Sequence, residues 1–270
     1  MPASDMVKVT TSVLREMKRR GEKISALTAY DAPTAKILDE AGLDVILVGD
    51  SVGNVKLGYD TTVPVTVEQM LHHTQAARRG VSRALLVADL PYLSYHLSLG
   101  ETKLNAGRLF KEGGAEAVKL EGGLEVAATV KALVEINIPV MGHLGLTPQA
   151  IHKIGGYKIQ GKTPESAEKM ITDAKILEGA GVFALVLECV PPDLARTITA
   201  KVSVPTIGIG AGPHCDGQIL VTDDILGLTG SSAPGFAARY ADLGRTIRSA
   251  VSKYRRDVRS GRYPRRTSRR

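Results

Sequence analysis

Short apolar runs alternate with longer amphipathic segments along this chain, and no other feature limits its fold as strongly. A short apolar run bounded by turn residues is typical of a strand buried on both faces, and an amphipathic segment is typical of a helix. The runs are residues 24–30, 45–50, 84–91, 117–123, 139–146, 184–191 and 205–212, with an eighth expected at 219–223. Strands that alternate with helices pair in parallel through crossover connections. We therefore predict an α/β protein with a closed (β/α)8 barrel, the TIM barrel.

The amphipathic segments have the periodicity expected of barrel helices. In residues 164–181 the apolar side chains fall on one helical face; they are Ala167, Met170, Ile171, Ala174 and Leu177. Residues 11–23 predict an extra helix before the barrel, and residues 235–258 predict a long closing helix. The glycines of 208–212 are spaced G-x-G-x-G and come late, so a dinucleotide-binding fold is not expected. No internal linker is evident, which predicts a single domain over residues 1–270.

The net charge of +7 is concentrated at the C-terminus. Residues 253–270 contain nine basic residues and one acid, which leaves about −1 for the rest of the chain. The basic tail at about 259–270 is either a solvated, flexible terminus or a segment that docks on an anionic surface. The body has no Trp, three Phe and no basic stripe with interleaved aromatic residues, so we expect no nucleic-acid partner.

Targeting signals are not evident in the sequence. No apolar run is long enough to span a bilayer, and the N-terminus lacks the apolar core of a signal peptide. The two cysteines, Cys189 and Cys215, make neither a disulfide framework nor a zinc motif. We therefore expect a cytoplasmic protein with no membrane partner.

Polar side chains recur where the predicted strands end. In a (β/α)8 barrel, the carboxyl ends of the strands and the loops after them build the active site. The candidates are Asp50 and Ser51 after the second strand, Asp89 after the third, Lys119 and Glu121 on one face of the fourth, His143 after the fifth and Glu188 after the sixth. We expect all of them to converge on one mouth of the barrel.

Three of these carboxylates, Asp50, Asp89 and Glu121, predict a magnesium site. Like charges cannot share a confined site unless a cation offsets their repulsion, and hard oxygen ligands suit Mg2+. A substrate with a carboxylate beside a keto group could chelate this ion, which would stabilise an enolate formed next to the carbonyl. Lys119 would add positive charge, and Ser51 would donate a hydrogen bond to the substrate carboxylate.

Glu188 lies further round the predicted barrel and is free to act as a general base on the carbon acid. Structural interpretations remain open for several candidates. Asp50 and Asp89 can serve as helix caps or turn residues, and His143 can be a core histidine bonded to the backbone. Lys119 is harder to explain in this way, because buried lysines are rare without a partner. No structural role for the glutamate is evident.

Nine segments resemble the ketopantoate hydroxymethyltransferase family, which belongs with the phosphoenolpyruvate-binding barrels. They are LTAYDAPTAKILDEAG, LVGDS, TTVPVT, VADLP, VKLEGG, VMGHLGLTPQ, GGYKIQG, LVLECVP and IGIGAGPHCDGQILV, spread from about residue 23 to residue 228. Several are long and distinctive. The Lys-Lys-Cys-Gly-His motif of the isocitrate lyase branch is absent.

The resemblance implies a Mg2+-dependent transfer of a hydroxymethyl group from 5,10-methylenetetrahydrofolate to 3-methyl-2-oxobutanoate, giving 2-dehydropantoate (ketopantoate) for pantothenate biosynthesis. It also implies a homo-oligomer, commonly a decamer. Matched by motif, Asp50 and Asp89 look like metal ligands beside the substrate, and Glu121 looks like a third ligand, direct or through water. Ser51 and Lys119 look like substrate contacts, and Glu188 looks like the proton acceptor. Apart from the resemblance, His143 is a candidate to support these groups.

Alternatives remain for two segments and for the function. The Gly-rich stretch 155–164 is either a mobile flap or a plain connection. Relatives often end in an acidic, His-containing tail after a proline, whereas this chain ends PRRTSRR, which leaves the role of its tail open. The rival functions are a C–C lyase of the same superfamily that acts on another 2-oxo acid, and a binding barrel whose tail engages an anionic partner.

Overall fold

Eight parallel strands close into a barrel in the computed structural model, which describes residues 7–230 and 234–264. Each strand pairs with the next in chain order, and the first pairs with the last. The strands are β1 Ile24–Thr28, β2 Val45–Val48, β3 Leu85–Asp89, β4 Ala117–Glu121, β5 Val140–Gly145, β6 Ala184–Glu188, β7 Thr206–Ile209 and β8 Gly217–Leu220. The predicted (β/α)8 barrel is confirmed.

Helices follow the strands in the order that the sequence predicts. They are α1 Thr11–Arg20, α2 Ala32–Glu40, α3 Val52–Val55, α4 Val67–Arg78, α5 Leu99–Lys111, α6 Ala127–Val134, α7 Ile151–Ile154, α8 Pro164–Ala180, α9 Pro192–Lys201, α10 Thr222–Ile225 and α11 Leu243–Arg259. The extra helix α1 precedes the barrel, as predicted, and ends at Gly21, whose φ of 69° lies in the left-handed region. No helix within the described ranges is long and apolar enough to cross a membrane.

Both faces of the strands are buried, which explains why the strand sequences are continuously apolar. In β2, Val45 and Leu47 pack in a cluster inside the barrel, whereas Ile46 and Val48 pack with side chains of the surrounding helices. This division follows from the two-residue period of a strand. The apolar runs are therefore the barrel wall, and the functional groups must lie where the wall ends.

Helix α8 shows how the sequence sets a helix and its buried face. Thr163 and Ser166 form a capping box at its start, and Gly181 ends it with a φ of 103°. The predicted face is buried at Met170, Ile171, Ala174 and Leu177, while Ala167 is partly buried against the core.

The eighth strand lies two residues earlier than predicted. It runs over Gly217–Leu220, and α10 begins at Thr222, so the predicted segment 219–223 contains the last two residues of the strand, one connecting residue and the first two residues of the helix. The Asp216 carboxylate accepts a hydrogen bond from Thr206 N at 2.8 Å and so fixes the chain before β8. The strand begins with Gly217 and Gln218, so its first half does not belong to an apolar run and the sequence pattern does not show where it starts.

The chain divides into two compact units after Leu220. In the second unit the predicted closing helix, 235–258, begins only at Leu243 and ends at Arg259. Asp242 caps it by accepting a hydrogen bond from Arg245 N at 3.0 Å, which starts the helix there. The single domain over 1–270 stays a prediction, and the predicted flexible tail lies outside the described residues from 265 onward.

Candidate active site

The predicted site residues lie together at the carboxyl end of the barrel, because the register of neighbouring parallel strands places their ends side by side. Neighbouring strands place Asp89 opposite Lys119 and Glu121 opposite His143. Asp50 and Ser51 follow directly after β2, and Glu188 is the last residue of β6. The sequence prediction that these strand ends share one mouth therefore agrees with the positions of the residues in the fold.

Asp89 and Lys119 form a buried ion pair at the centre of this cluster. Lys119 Nζ lies 2.5 Å from Asp89 Oδ1, and the second oxygen of Asp89 accepts a hydrogen bond from Asp50 N at 3.0 Å. Burial would lower the pKa of the lysine, but the charges of Asp89, Glu121 and Asp50 raise it, so the amine stays a cation. Burial raises the pKa of Asp89, while the lysine opposes this effect.

Asp50 is the carboxylate whose negative charge is least compensated by neighbouring groups. It is buried, and burial together with the charges of Asp89 and Glu121 raises its pKa to about 8. One oxygen, Oδ2, accepts a hydrogen bond from Gln149 Nε2 at 2.8 Å, but an amide carries no charge. Lys119 also lowers this pKa without bringing it back to the ordinary value, so the protein only partly offsets the negative charge that Asp50 would carry.

His143 lies between two carboxylates of the site. Its Nδ1 is 3.3 Å from Glu121 Oε1 and its Nε2 is 3.2 Å from Glu188 Oε2, although neither approach has hydrogen-bond alignment. Burial and Lys119 disfavour the charged imidazole, yet the two glutamates raise the pKa of His143 to about 9. Burial also disfavours ionised Glu121, but the histidine and the lysine lower its pKa. The alternative of a core histidine bonded to the backbone does not describe this arrangement.

Ser51 lies at the edge of the cluster with its hydroxyl held in place. Ser51 Oγ is 2.8 Å from the hydroxyl of Tyr30, which follows β1. A Cβ atom at Gly49 would lie 2.8 Å from Ser51 Oγ and 3.5 Å from Asp89 Oδ2. Because glycine has no Cβ, it lets these two side chains lie close to the backbone at this point. The Gly-Asp-Ser sequence therefore combines a residue without a side chain, a carboxylate and an oriented hydroxyl.

Sequence reasoning missed Gln149, which connects the acidic groups. Its backbone N–H donates to Glu121 Oε2 at 3.1 Å, and its side chain donates to Asp50 and to the carbonyl of Leu90. Its own Oε1 accepts a hydrogen bond from the hydroxyl of Tyr95 at 2.7 Å. Gln149 is the last residue of the segment VMGHLGLTPQ. The resemblance of that segment to the family was the sequence signal that could have identified this glutamine.

The chemical type of these donors, carboxylate oxygens, suits a hard divalent cation. The three carboxylates proposed as ligands, Asp50, Asp89 and Glu121, are buried, with the ammonium of Lys119 and the imidazole of His143 among them. A further positive charge would lower the raised pKa of Asp50. Among residues 7–230 and 234–264, no three His, Cys, Asp or Glu side chains are already gathered as for a metal. Protein partners, the lysine and the glutamine, hold the carboxylate oxygens instead.

A separate cavity of about 490 Å³ lies away from these groups. Its lining comes from α1 and from residues that precede the strands, such as Asp44 and Arg83. These two residues pair with each other at 3.3 Å. Because it lies at the amino ends of the strands, this cavity is not the candidate active site.

Buried carboxylates, a lysine cation and a histidine at the carboxyl end of a closed parallel barrel define an enzyme of the (β/α)8 class. The model of one family, described as ketopantoate hydroxymethyltransferase, matches residues 8–266 of the chain. The chain belongs to this family and is a hydroxymethyltransferase.

Relatives match the chain over nearly its whole length. It is 58% identical over 257 residues to the 3-methyl-2-oxobutanoate hydroxymethyltransferase of Thermoanaerobacter pseudethanolicus, covering 95% of this chain and 94% of the relative. The proteins of the same name from Moorella thermoacetica and Geobacter metallireducens are 57% and 55% identical over 257 residues, and each match covers 95% of this chain and 96% of the relative.

Solved structures share the fold at low sequence identity. A crystal structure of phosphonopyruvate hydrolase in complex with oxalate and Mg2+ superposes with a TM-score of 0.61 at 15% identity, covering 94% of this chain and 88% of the other. The 2,3-dimethylmalate lyase, a PEP mutase/isocitrate lyase superfamily member, gives a TM-score of 0.60 at 16% identity, covering 97% and 88%. These similarities support the barrel architecture and nothing finer.

Proposed function

We propose that this chain makes ketopantoate by transferring a hydroxymethyl group from 5,10-methylenetetrahydrofolate to 3-methyl-2-oxobutanoate. The observation that carries the proposal is the cluster of buried carboxylates around Lys119, with Glu188 beside it, in a member of this family. It is an arrangement suited to binding a 2-oxo acid and removing the proton next to its carbonyl. We place this reaction in the cytoplasm.

The proposed metal is Mg2+. Asp50 and Asp89 would bind it, and Glu121 would complete the protein ligands directly or through water. When bound, Mg2+ supplies Lewis-acid stabilisation of the negative charge that develops on the substrate oxygen. The raised pKa values of the two aspartates support this assignment, because a cation would lower both of them.

Ser51 and Lys119 are the proposed contacts of the 2-oxo acid, which the two aspartates also border. The hydroxyl of Ser51, oriented by Tyr30, can donate to the substrate carboxylate. The ammonium of Lys119 is buried and kept charged by Asp89, so it faces the substrate without the screening that water provides. These groups favour an anion that carries a keto oxygen next to its carboxylate.

Glu188 is the proposed base that takes the proton from C3 of 3-methyl-2-oxobutanoate. Its Oε2 lies 3.2 Å from His143 Nε2, so the base and the imidazole are neighbours at the mouth of the barrel. The C3–H bond breaks and C3 then forms a bond to the methylene carbon of the folate. Water supplies the oxygen and the proton of the new hydroxyl group. Both C–N bonds of the methylene carbon break, and the C3 proton and the second proton of water end on the two nitrogens as tetrahydrofolate is released.

A second copy of the chain is the proposed partner of helix α11. Apolar side chains recur along one face of this helix at Ile247, Val251, Tyr254 and Val258, and their exposed fractions are 45–58%. None of its residues is buried. An amphipathic helix is stabilised mainly by burial of its apolar face, which a symmetric assembly would provide. The proposed assembly is a homo-oligomer, and its proposed size is a decamer.

Proton exchange distinguishes this function from the lyase. With Mg2+ and no folate, we expect NMR to show deuterium replacing the C3 proton of 3-methyl-2-oxobutanoate, without cleavage. Addition of 5,10-methylenetetrahydrofolate should then yield ketopantoate. Carbon–carbon cleavage of a 2-oxo acid without folate would instead support the lyase. The absence of both reactions would favour a binding barrel.

A further inference from the structure

The segment between β5 and α8 is fastened to the site at both of its ends. At one end Gln149 donates hydrogen bonds to Asp50 and Glu121. At the other, Gln160 N donates to the carbonyl of Cys189 at 2.8 Å, immediately after Glu188. The ten residues between the two glutamines, 150–159, therefore run from one side of the site to the other.

This segment is basic, although the body of the chain as a whole is nearly balanced in charge. Residues 150–164 contain His152, Lys153, Lys158 and Lys162 and no acid, whereas residues 1–252 together carry about −1. All four of these side chains are exposed. Lys158 and Lys162 form no ion pair with any residue in the part of the chain that the structure describes. Their positive charges are thus available to an anion from outside.

Tyr157 is the apolar element of the same segment. Its exposed fraction is 64%, and that of Ile159 is 48%. Partial burial of the phenol and the negative charges of Glu188, Asp50 and Glu121 raise its pKa, which agrees with a position near these carboxylates while most of the side chain is exposed. Gly155 and Gly156 precede it with φ values of 74° and 113°, a turn that residues with a Cβ rarely make.

We propose that Tyr157, Lys158 and Lys162 dock the folate co-substrate at the mouth of the barrel. The pteridine and aminobenzoyl rings stack on Tyr157, and the glutamyl carboxylates bind the two lysines. This inference rests on the proposed function and adds the residues that hold its second substrate. Segment 155–164 is then neither a plain connection nor only a flap.

The chemistry of the two substrates assigns them to different parts of the site. The 2-oxo acid is small and anionic, and Lys119 and Ser51 serve it inside the barrel. The folate is several times larger, carries flat aromatic rings and ends in carboxylates, so it must approach from solvent. Tyr157 offers an aromatic surface near Glu188, and the lysines offer charge further along the chain, in the same order as the rings and tail of the ligand.

Tyr157→Leu tests the ring contact. We expect its KM for 5,10-methylenetetrahydrofolate to rise at least about fivefold, as for the loss of one stacked ring. The KM for 3-methyl-2-oxobutanoate and the folate-independent exchange of the C3 proton should stay at parent values. Tyr157→Phe should restore the KM, because it keeps the ring. An unchanged folate KM in Tyr157→Leu, or lost proton exchange, would overturn the proposal.

The double variant Lys158→Gln with Lys162→Gln tests the charge contact. We expect about a twofold to tenfold rise in KM for a triglutamyl folate and a smaller change for the monoglutamate, with both differences disappearing at high salt. The matched control is Lys175→Gln, an exposed lysine of α8, which should leave both values unchanged. Equal KM values for the double variant and the control would overturn this role of the lysines.

These experiments separate the docking proposal from the proposed function. If the parent protein neither exchanges the C3 proton nor forms ketopantoate, the proposed function fails. If the parent does both and the three substitutions leave the folate KM unchanged, the function stands and the docking site is wrong.

Discussion

Lys119 Nζ and Asp89 Oδ1 lie 2.5 Å apart, with 6% and 2% of their side chains exposed. The pair arises from the register of β3 and β4, which places the two residues opposite each other at the carboxyl end of the barrel. Asp50 and Glu121 add negative charge around the same lysine. One buried cation thus holds together a group of acids that would otherwise repel one another.

Lys119→Met should be strongly destabilising and should weaken substrate binding. Removing one partner of a buried ion pair leaves the other charge uncompensated, at a cost of about 3–5 kcal/mol in the free energy of unfolding. Urea unfolding and the KM for 3-methyl-2-oxobutanoate measure the two effects. Lys175→Met, on the exposed face of α8, is the control and should behave as the parent does. Parent-like stability and KM in Lys119→Met would refute the role assigned to the pair.

Glu188→Gln should abolish proton removal while the metal still binds. The amide keeps the size of the side chain beside His143 but cannot accept the C3 proton. We expect the exchange of that proton, followed by NMR in D2O, to fall by at least about 100-fold. Mg2+ affinity, measured by calorimetry, should remain close to that of the parent. Exchange at the parent rate would exclude Glu188 as the base.

The fold and the candidate site differ in how far the sequence predicts them. Hydrophobic periodicity identifies strands and helices, since burial requires it, and seven of the eight strands lie within the predicted runs. Strand β8 begins two residues before the predicted segment, because Gly217 and Gln218 interrupt its apolar pattern. The start of α11 was placed too early, because the cap at Asp242 is a local hydrogen bond that periodicity does not reveal.

The site was predicted as a set of residues but not as a set of contacts. Strand ends predict that Glu121, His143 and Glu188 are neighbours, since parallel strands finish at the same edge. They do not predict that the histidine ring lies between the two carboxylates, because periodicity sets the face of a side chain and not its partner. Gln149 and Tyr95 were missed because neutral polar residues give no charge signal in a sequence.

Asp39 gives a prediction of pH dependence away from the site. Its carboxylate accepts hydrogen bonds from the backbone N–H groups of Ala84, Ser82 and Arg83 at 2.7–3.1 Å. Burial would raise its pKa, but these bonds lower it below the ordinary value. The folded state therefore gains stability from the ionised carboxylate above the unfolded pKa of about 3.9, and loses it as pH falls through the lower folded value.

Asp39→Ala should therefore cost about 2–4 kcal/mol in the free energy of unfolding at pH 7 and clearly less at pH 3. Urea unfolding at both pH values is the measurement. Glu40→Ala changes an exposed carboxylate in the same helix and should have little effect at either pH. A cost for Asp39→Ala that is the same at both pH values would contradict the assignment of its pKa.

Val251→Glu should disrupt the proposed assembly. It places a charge on the apolar face of α11, which is formed by Ile247, Val251, Tyr254 and Val258. A second copy of the chain would bury this charge, and the free-energy cost of burial would exceed the gain from association. Light scattering coupled to size-exclusion chromatography should show smaller particles than for the parent. Ser249→Glu adds the same charge on the opposite side of the helix and should leave the mass unchanged. Equal masses for Val251→Glu and the parent would argue against the apolar face as an interface.

Ketopantoate formation by the purified protein tests the central claim most directly. The assay contains 3-methyl-2-oxobutanoate, 5,10-methylenetetrahydrofolate and Mg2+, and is repeated with EDTA and with EDTA followed by excess Mg2+. We expect product in the first reaction, its loss with EDTA and its recovery when Mg2+ is restored. No ketopantoate in the complete mixture, or formation at the same rate in EDTA, would contradict the account.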